Sequence, residues 1–377
     1  MGDSSSDSDD EDAERQAELD EEYLRRILEG SDDDDELEEV DDDAERLVRA
    51  VMERKLALVQ ELLIEGVNAD ANRLDDGGTP LYFACWKQGD LEMIRLLLQY
   101  GATVNSSNYI HGNKTPLHRA CDNGSFEVVK LLMENGAQLN VKDKDGLSPL
   151  HWSCAYGHMN ITKFLISNGA DVNIKDNEGR TPLLWRPVFV RLEIIKLLIE
   201  NGADVNAKDD CGSTPLDRAC NSLRMELAKL LIQNGADLNA QDKSGSTPLY
   251  WMCSRGWLEI AKLLIEHGAN VHIKDCAGRT PLHRACINLR PRVIVLLLDN
   301  GANLNAQDNH GRTSLYRACQ HDYLEVVQLL LSRGADAHLK TKWGCTPLQV
   351  ASERNCLEVL WLLIRHDPSL VFEISDK

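Results

Sequence analysis

The chain has 377 residues, 43% of them hydrophobic, and a formal charge of −20, which suits either two or three ordinary domains or one long array of repeats. The charge is concentrated: residues 1–43 hold 22 Asp/Glu and three Arg, whereas the remainder holds 38 basic and 39 acidic residues. The lack of a basic block, of an apolar run of about 18 residues and of a basic-then-apolar start in "MGDSSSDSDD" excludes a nucleic-acid footprint, a membrane-spanning helix and a signal peptide.

In chain order, the first region is an acidic tail over residues 1–43. Its two ends carry too much like charge to fold and are expected to be disordered. Between them "AELDEEYLRRIL" places Leu19, Tyr23, Leu24, Ile27 and Leu28 on one side of a helix. That predicts a short amphipathic helix over about residues 14–29, ended by Gly30.

From residue 44 to 377 the sequence repeats. A Thr/Ser-x-Leu triplet begins at positions 79, 115, 148, 181, 214, 247, 280, 313 and 346, at an interval of 36 and then seven intervals of 33. A fixed period of this size signals a solenoid. Upstream, "ERLVRAVMERKLALVQELLIEG" from Glu45 follows the same template without Thr-Pro, so nine clear copies are preceded by one degenerate copy. Each Thr suits an N-cap, and the Pro after it sits where a helix needs no N–H. A second stretch such as "EVVKLLMENG" has the 3.6-residue apolar rhythm and stops at a Gly suited to a left-handed cap, as at Gly136. The copy at Thr181 breaks the template, with Arg186-Pro187 where its neighbours have Ser-Cys and Ala-Cys. Pro187 removes a donor and Arg186 cannot stay buried unpaired, so the first helix of this copy is expected to be short or distorted.

Such copies, for instance "GRTPLHRACINLRPRVIVLLLDNGANLNAQD", resemble the ankyrin repeat over about residues 45–377. The resemblance implies an all-α fold with β-hairpin fingers, an α-solenoid of stacked helix pairs with capping copies at its ends. It also implies protein binding through the fingers and the concave first-helix face, without catalysis. The asparagines Asn173 and Asn206 occupy finger positions that can be hydroxylated in ankyrin proteins.

No catalytic, cofactor or metal residues are expected. Three His-x-x-Cys pairs, beginning at His118, His151 and His283, suggest zinc, but their copies sit about 8–10 Å apart and cannot converge on one ion at roughly 2.0–2.3 Å. The seven cysteines in this register, from Cys85 to Cys319, are expected to be small buried residues, whereas Cys211, Cys276 and Cys345 fall in fingers. An odd total of eleven cysteines with no secretory context places the protein in the cytoplasm or nucleus, not outside the cell.

Binding is expected where the template leaves positions free. Four places after each Thr or Ser stand Phe83, Arg119, Trp152, Trp185, Arg218, Trp251, Arg284, Arg317 and Val350. Trp and Arg are favoured at binding hot spots, although the same column could pack between copies. With Trp86, Tyr156, Phe189 and Arg255 nearby, the first eight are the candidate partner-binding residues. The expected partner of this monomeric chain is another protein, through an extended or acidic segment, and neither nucleic acid nor membrane. The readings are a scaffold or adaptor, or else a regulatory subunit or inhibitor of an enzyme or transcription factor with the tail modulating the groove.

Overall fold

A computed structural model describes residues 42–71, 78–86, 90–109, 111–185 and 191–374. The calls on the acidic tail and its helix, and on Phe189 and Arg186-Pro187, therefore fall outside the described residues. The chain divides into two compact units, Met1–Gln138 and Leu139–Lys377.

Both units are built from one helix pair repeated, and among the described residues the fold is all-α, with 19 α-helices and a terminal 3-10 turn at Pro368–Ile374. The first helix of a pair is short, as in Pro116–Asp122, and its start is fixed by sequence. Thr115 accepts a hydrogen bond from the His118 N–H, Pro116 supplies a helical φ, and His118 returns a bond to the Thr115 N–H. The second helix, as in Phe126–Glu134, buries Val128, Val129, Leu131 and Leu132 along one stripe. In the first unit, the first helices Asp42–Met52, Pro80–Ala84 and Pro116–Asp122 pack in succession, as do the second helices Leu56–Ile64, Leu91–Gln99 and Phe126–Glu134. The second unit repeats the arrangement from Pro149–Ala155 to Leu357–His366, and Leu370 of the terminal turn closes it with no exposed surface.

The copy at Thr181 departs from this pattern. Thr181 to Trp185 close a single turn, with the Leu184 and Trp185 N–H groups both donating to the Thr181 carbonyl at 2.8 Å. The second helix, Leu192–Glu200, has full length. Its N-cap Arg191 is extended at ψ 140, where the equivalent residues of the neighbouring copies lie near ψ 74 and 79.

The fingers differ from the expected β-hairpins. Among the described residues there is no β-strand, only an isolated bridge between Asn108 and Lys114. An aspartate does the work of the ladder. Asp143 Oδ1 accepts from the N–H groups of Asp145 and Leu147 at 3.0 and 2.9 Å, and one backbone bond, Asp143 N–H to Leu147 O, completes the turn. Asp176, Asp209, Asp242, Asp275 and Asp308 repeat the motif. A carboxylate that closes a five-residue turn satisfies donors that a strand pair would otherwise have to pair.

Successive fingers of the second unit are joined by rungs. Asn206 donates through Nδ2 to the Gly235 carbonyl at 3.0 Å and accepts the Asp237 N–H at 2.7 Å. Asn173 does the same with Gly202 and Asp204 at 2.9 and 2.8 Å. Lys208 Nζ donates to Gln241 O at 2.8 Å, and the Lys243 N–H to Cys211 O at 3.0 Å.

Candidate functional site

Of the eight column candidates, each one turn in from its Thr or Ser cap, seven sit on the short first helices and Trp185 in the single turn of its copy. This position faces the base of its own finger, nine residues earlier in sequence. In the second unit the finger aspartate spends its second oxygen there. Trp152 Nε1 donates to Asp143 Oδ2 at 3.0 Å and Trp251 Nε1 to Asp242 Oδ2 at 2.9 Å. Arg218 reaches Asp209 Oδ2 at 3.0 Å and Arg317 reaches Asp308 Oδ2 at 3.3 Å. An indole or guanidinium edge is thereby locked to the finger while its face is left half-exposed.

The candidates are covered to different degrees. Phe83, Arg119 and Trp185 are buried, at 4%, 4% and 6% exposure. In the first unit Arg119 is committed internally: its Nε donates to Tyr82 Oη at 2.8 Å, NH1 pairs with Asp122 at 3.2 Å, and the guanidinium lies 4.2 Å from the Trp86 ring centre. Phe83 stacks on Trp86 at 6.0 Å. In the second unit Trp185 packs on Leu147 and Ala155, and its ring meets Trp152 edge-on at 5.4 Å. Trp152 in turn stacks on Tyr156, which is 46% exposed. These three side chains are enclosed by neighbouring side chains and so are not open to a partner as expected.

Trp86, Trp152, Arg218, Trp251, Arg255, Arg284 and Arg317 are half-buried. Arg284 differs from Arg218 and Arg317. The finger carboxylate of its copy, Asp275, is taken by the Tyr250 hydroxyl and by Arg279. Arg284 instead lies over the Tyr250 ring at 5.5 Å, while a buried Nε without a partner is common to all three arginines. Of the two finger aromatics, Tyr109 and Trp343 are 57% and 66% exposed.

The His-x-x-Cys pairs are structural. His151 Nδ1 accepts the Ser148 N–H at 3.1 Å, which puts the proton on Nε2 for donation to the Arg180 carbonyl at 3.2 Å in the next copy. His283 spans Thr280 and Arg312 in the same way. Burial pushes both imidazoles down to about 4, so they are neutral. Both nitrogens are used, leaving no lone pair for a metal. The register cysteines are buried, and burial raises the thiols of Cys85, Cys220, Cys253 and Cys319 and pushes those of Cys154 and Cys286 up to about 12.

One feature was missed at the level of sequence. Among the described residues, the position nine places after the Thr or Ser takes a positive φ in the turn between helices, as at Gly124, Gly157, Gly256, Asp322 and Asn355. Leu223 and Leu289 take the same conformation at φ 55 with 55% and 47% of their surface exposed. Leucine in a glycine register was the available signal.

Among the described residues no helix is long and apolar enough to cross a membrane. No match was found among curated proteins. The family described as ankyrin repeats (3 copies) matches at residues 47–143, 135–209, 188–242, 216–308, 270–341 and 305–373. Capped helix pairs on a 33-residue period, matched from residue 47 to residue 373, make this chain a member of the ankyrin-repeat family.

Proposed function

We propose that the chain is a non-enzymatic scaffold or adaptor that holds an extended or acidic segment of a partner protein on its first-helix face. Ankyrin repeats generally mediate protein–protein interaction and are typically non-catalytic. The observation that carries the reading is the fixing of Trp152 and Trp251 by Asp143 and Asp242. Their polar edges are satisfied within the chain, so a partner covers the ring faces without stranding a donor. A side chain already held in one rotamer also loses little entropy on binding. Eleven free thiols suit the reducing cytoplasm or nucleus.

The test is affinity capture with cross-linking to identify the partner, then titration against variants. Trp152→Ala and Trp251→Ala should each weaken binding by about 2 kcal/mol or more, roughly thirtyfold. Trp152→Phe and Trp251→Phe keep a ring face and should lose much less. Normal affinity in both alanine variants would place the site elsewhere.

A further inference from the structure

The second helices follow a surface rule that fails in the last copies of the second unit. Their fifth residue is basic in six successive copies, from Arg95 to Lys262, and then becomes Val295, Gln328 and Trp361. The position is open to solvent: the Lys262 side chain is 56% exposed and Trp361 is 62% exposed. The first residue of these helices changes too. Leu258 and Leu324 are half-buried, whereas Leu357, after which the terminal turn replaces a further helix pair, is 66% exposed. The result is a groove of about 430 Å³ along the packed helices Leu324–Ser332 and Leu357–His366, lined by Leu324, Gln328, Leu357, Trp361 and Leu362 together with Glu358 and Arg365. Arg365 lies over the Trp361 ring at 5.0 Å without covering it. Among the described residues neither Glu358 nor Arg365 is in an ion pair.

The copy that closes an array needs a polar outer face to stay soluble. Here a tryptophan stands where six copies carry a cation, and a leucine beside it is uncovered, which marks an interaction site rather than a solvated cap. The charges say what covers it. Glu358 and Arg365 are seven residues apart, two turns or about 10.5 Å along one face of the helix, with Trp361 between them. A two-fold axis passing between Trp361 and Leu362 brings the partner's Arg365 opposite Glu358 and the partner's Glu358 opposite Arg365. The same rotation sets each Trp361 beside the partner's Leu362. An apolar centre with one charge of each sign, equally far from it, is complementary to itself.

We propose that this groove is the interface of a homodimer, with helix Leu357–His366 of one copy lying antiparallel against that of a second. The monomer expected from the sequence is then the dilute form only. One helix pair from each copy buries less than a standard interface of about 1,600 Å², and a net charge of −20 on each chain opposes association. The dimer is therefore weak and depends on concentration and on salt. Because the pairing uses second helices, each copy keeps its first-helix face, and a dimer offers a partner two such faces at once. That consequence rests on the proposed binding role of the first-helix face, but the assay reads mass alone, so its failure leaves that role untouched.

The experiment is sedimentation equilibrium of the full chain at about 0.15 M salt, which screens the net charge. The mean mass should rise with concentration from 42.2 kDa toward twice that value. Trp361→Lys restores the residue that Lys262 holds in its copy and keeps a good helix former. It should weaken self-association by at least about thirtyfold with helicity unchanged. Glu358→Arg alone and Arg365→Glu alone each set like charges opposite one another, so each should stay monomeric where the parent dimerises. Glu358→Arg/Arg365→Glu in one chain, and an equimolar mixture of the two single variants, should both recover the dimer. A chain that is monomeric at every concentration up to its solubility limit would overturn the proposal and assign the groove to an occupant other than a second copy. Association as strong in Trp361→Lys as in the parent would overturn it by placing the interface on another surface. Single charge reversals that dimerise like the parent, or a mixture that fails to recover, would refute the antiparallel pairing on which it stands.

Discussion

Replacing Asp217 by His should reverse the pH dependence of one repeat. Asp217 holds the position occupied by His151 and His283 in their copies and caps the same way, accepting the Thr214 N–H and hydroxyl at 2.9 and 2.8 Å. It is 5% exposed, and burial pushes its carboxyl up to about 6, with Asp242 and Asp209 adding to the rise. A carboxyl whose folded value exceeds its unfolded one destabilises the fold when charged. The penalty is about 3 kcal/mol at pH 7.5 and falls to about 1.5 kcal/mol at pH 5. A histidine at this site should behave as His151 and His283 do, held near 4 by burial. Its contribution is intact above about pH 6.5 and lost as pH falls toward 4, by about 2 kcal/mol at pH 5. Asp217→His should therefore be more stable by about 3 kcal/mol at pH 7.5 and level with the parent at pH 5. The gain at pH 7.5 should rise further if Nε2 finds the carbonyl before the next Thr, as His151 finds Arg180 O. Urea unfolding at the two pH values, following helicity, measures the gap. A gap that does not change with pH would refute the buried charge as its cause.

Two further outcomes follow from the packing. Leu223→Gly should raise stability by about 0.5–1 kcal/mol, the relief of the left-handed strain less the added chain entropy, and a loss on thermal unfolding would show that the exposed leucine packs favourably. Native-state thiol labelling should modify the exposed Cys211 and Cys276 within the time that leaves Cys154, Cys220 and Cys253 untouched, because the latter are fully buried with raised thiols.

The period, the Thr-Pro starts and the left-handed glycines could be read from the sequence because each is a local rule, satisfied within a few residues. The fingers were less legible. A polar stretch with a central glycine suits a strand hairpin or a side-chain-closed turn equally well, and only the geometry shows Asp143 Oδ1 holding two N–H groups. Coverage along the inner column was not legible either. Arg119, Arg218 and Arg284 occupy one register, yet Tyr82, Asp122 and Trp86 enclose the first, Asp209 holds the second, and Tyr250 and Arg279 take the carboxylate from the third. Those differences arise from residues in other registers and neighbouring copies, which a single column cannot report.

The nine-residue link between finger and inner helix also bears on how selectivity is divided. Where it forms, as between Asp242 and Trp251, the carboxylate that closes the finger also sets the ring, and the finger is tied to its neighbour through the Lys243 N–H and Cys211 O. Moving the ring would release a carboxylate holding two backbone donors, so these positions offer a fixed surface. Fixed aromatic faces supply area and little discrimination. Charge discrimination then falls to the positions where the link fails. At Arg284 the tyrosine one residue before Trp251 captures Asp275, and the guanidinium lies over the Tyr250 ring instead of on the finger carboxylate. Tyr250→Phe should hand Asp275 back to Arg284, pairing the cation internally and weakening an acidic ligand while leaving the aromatic surface in place.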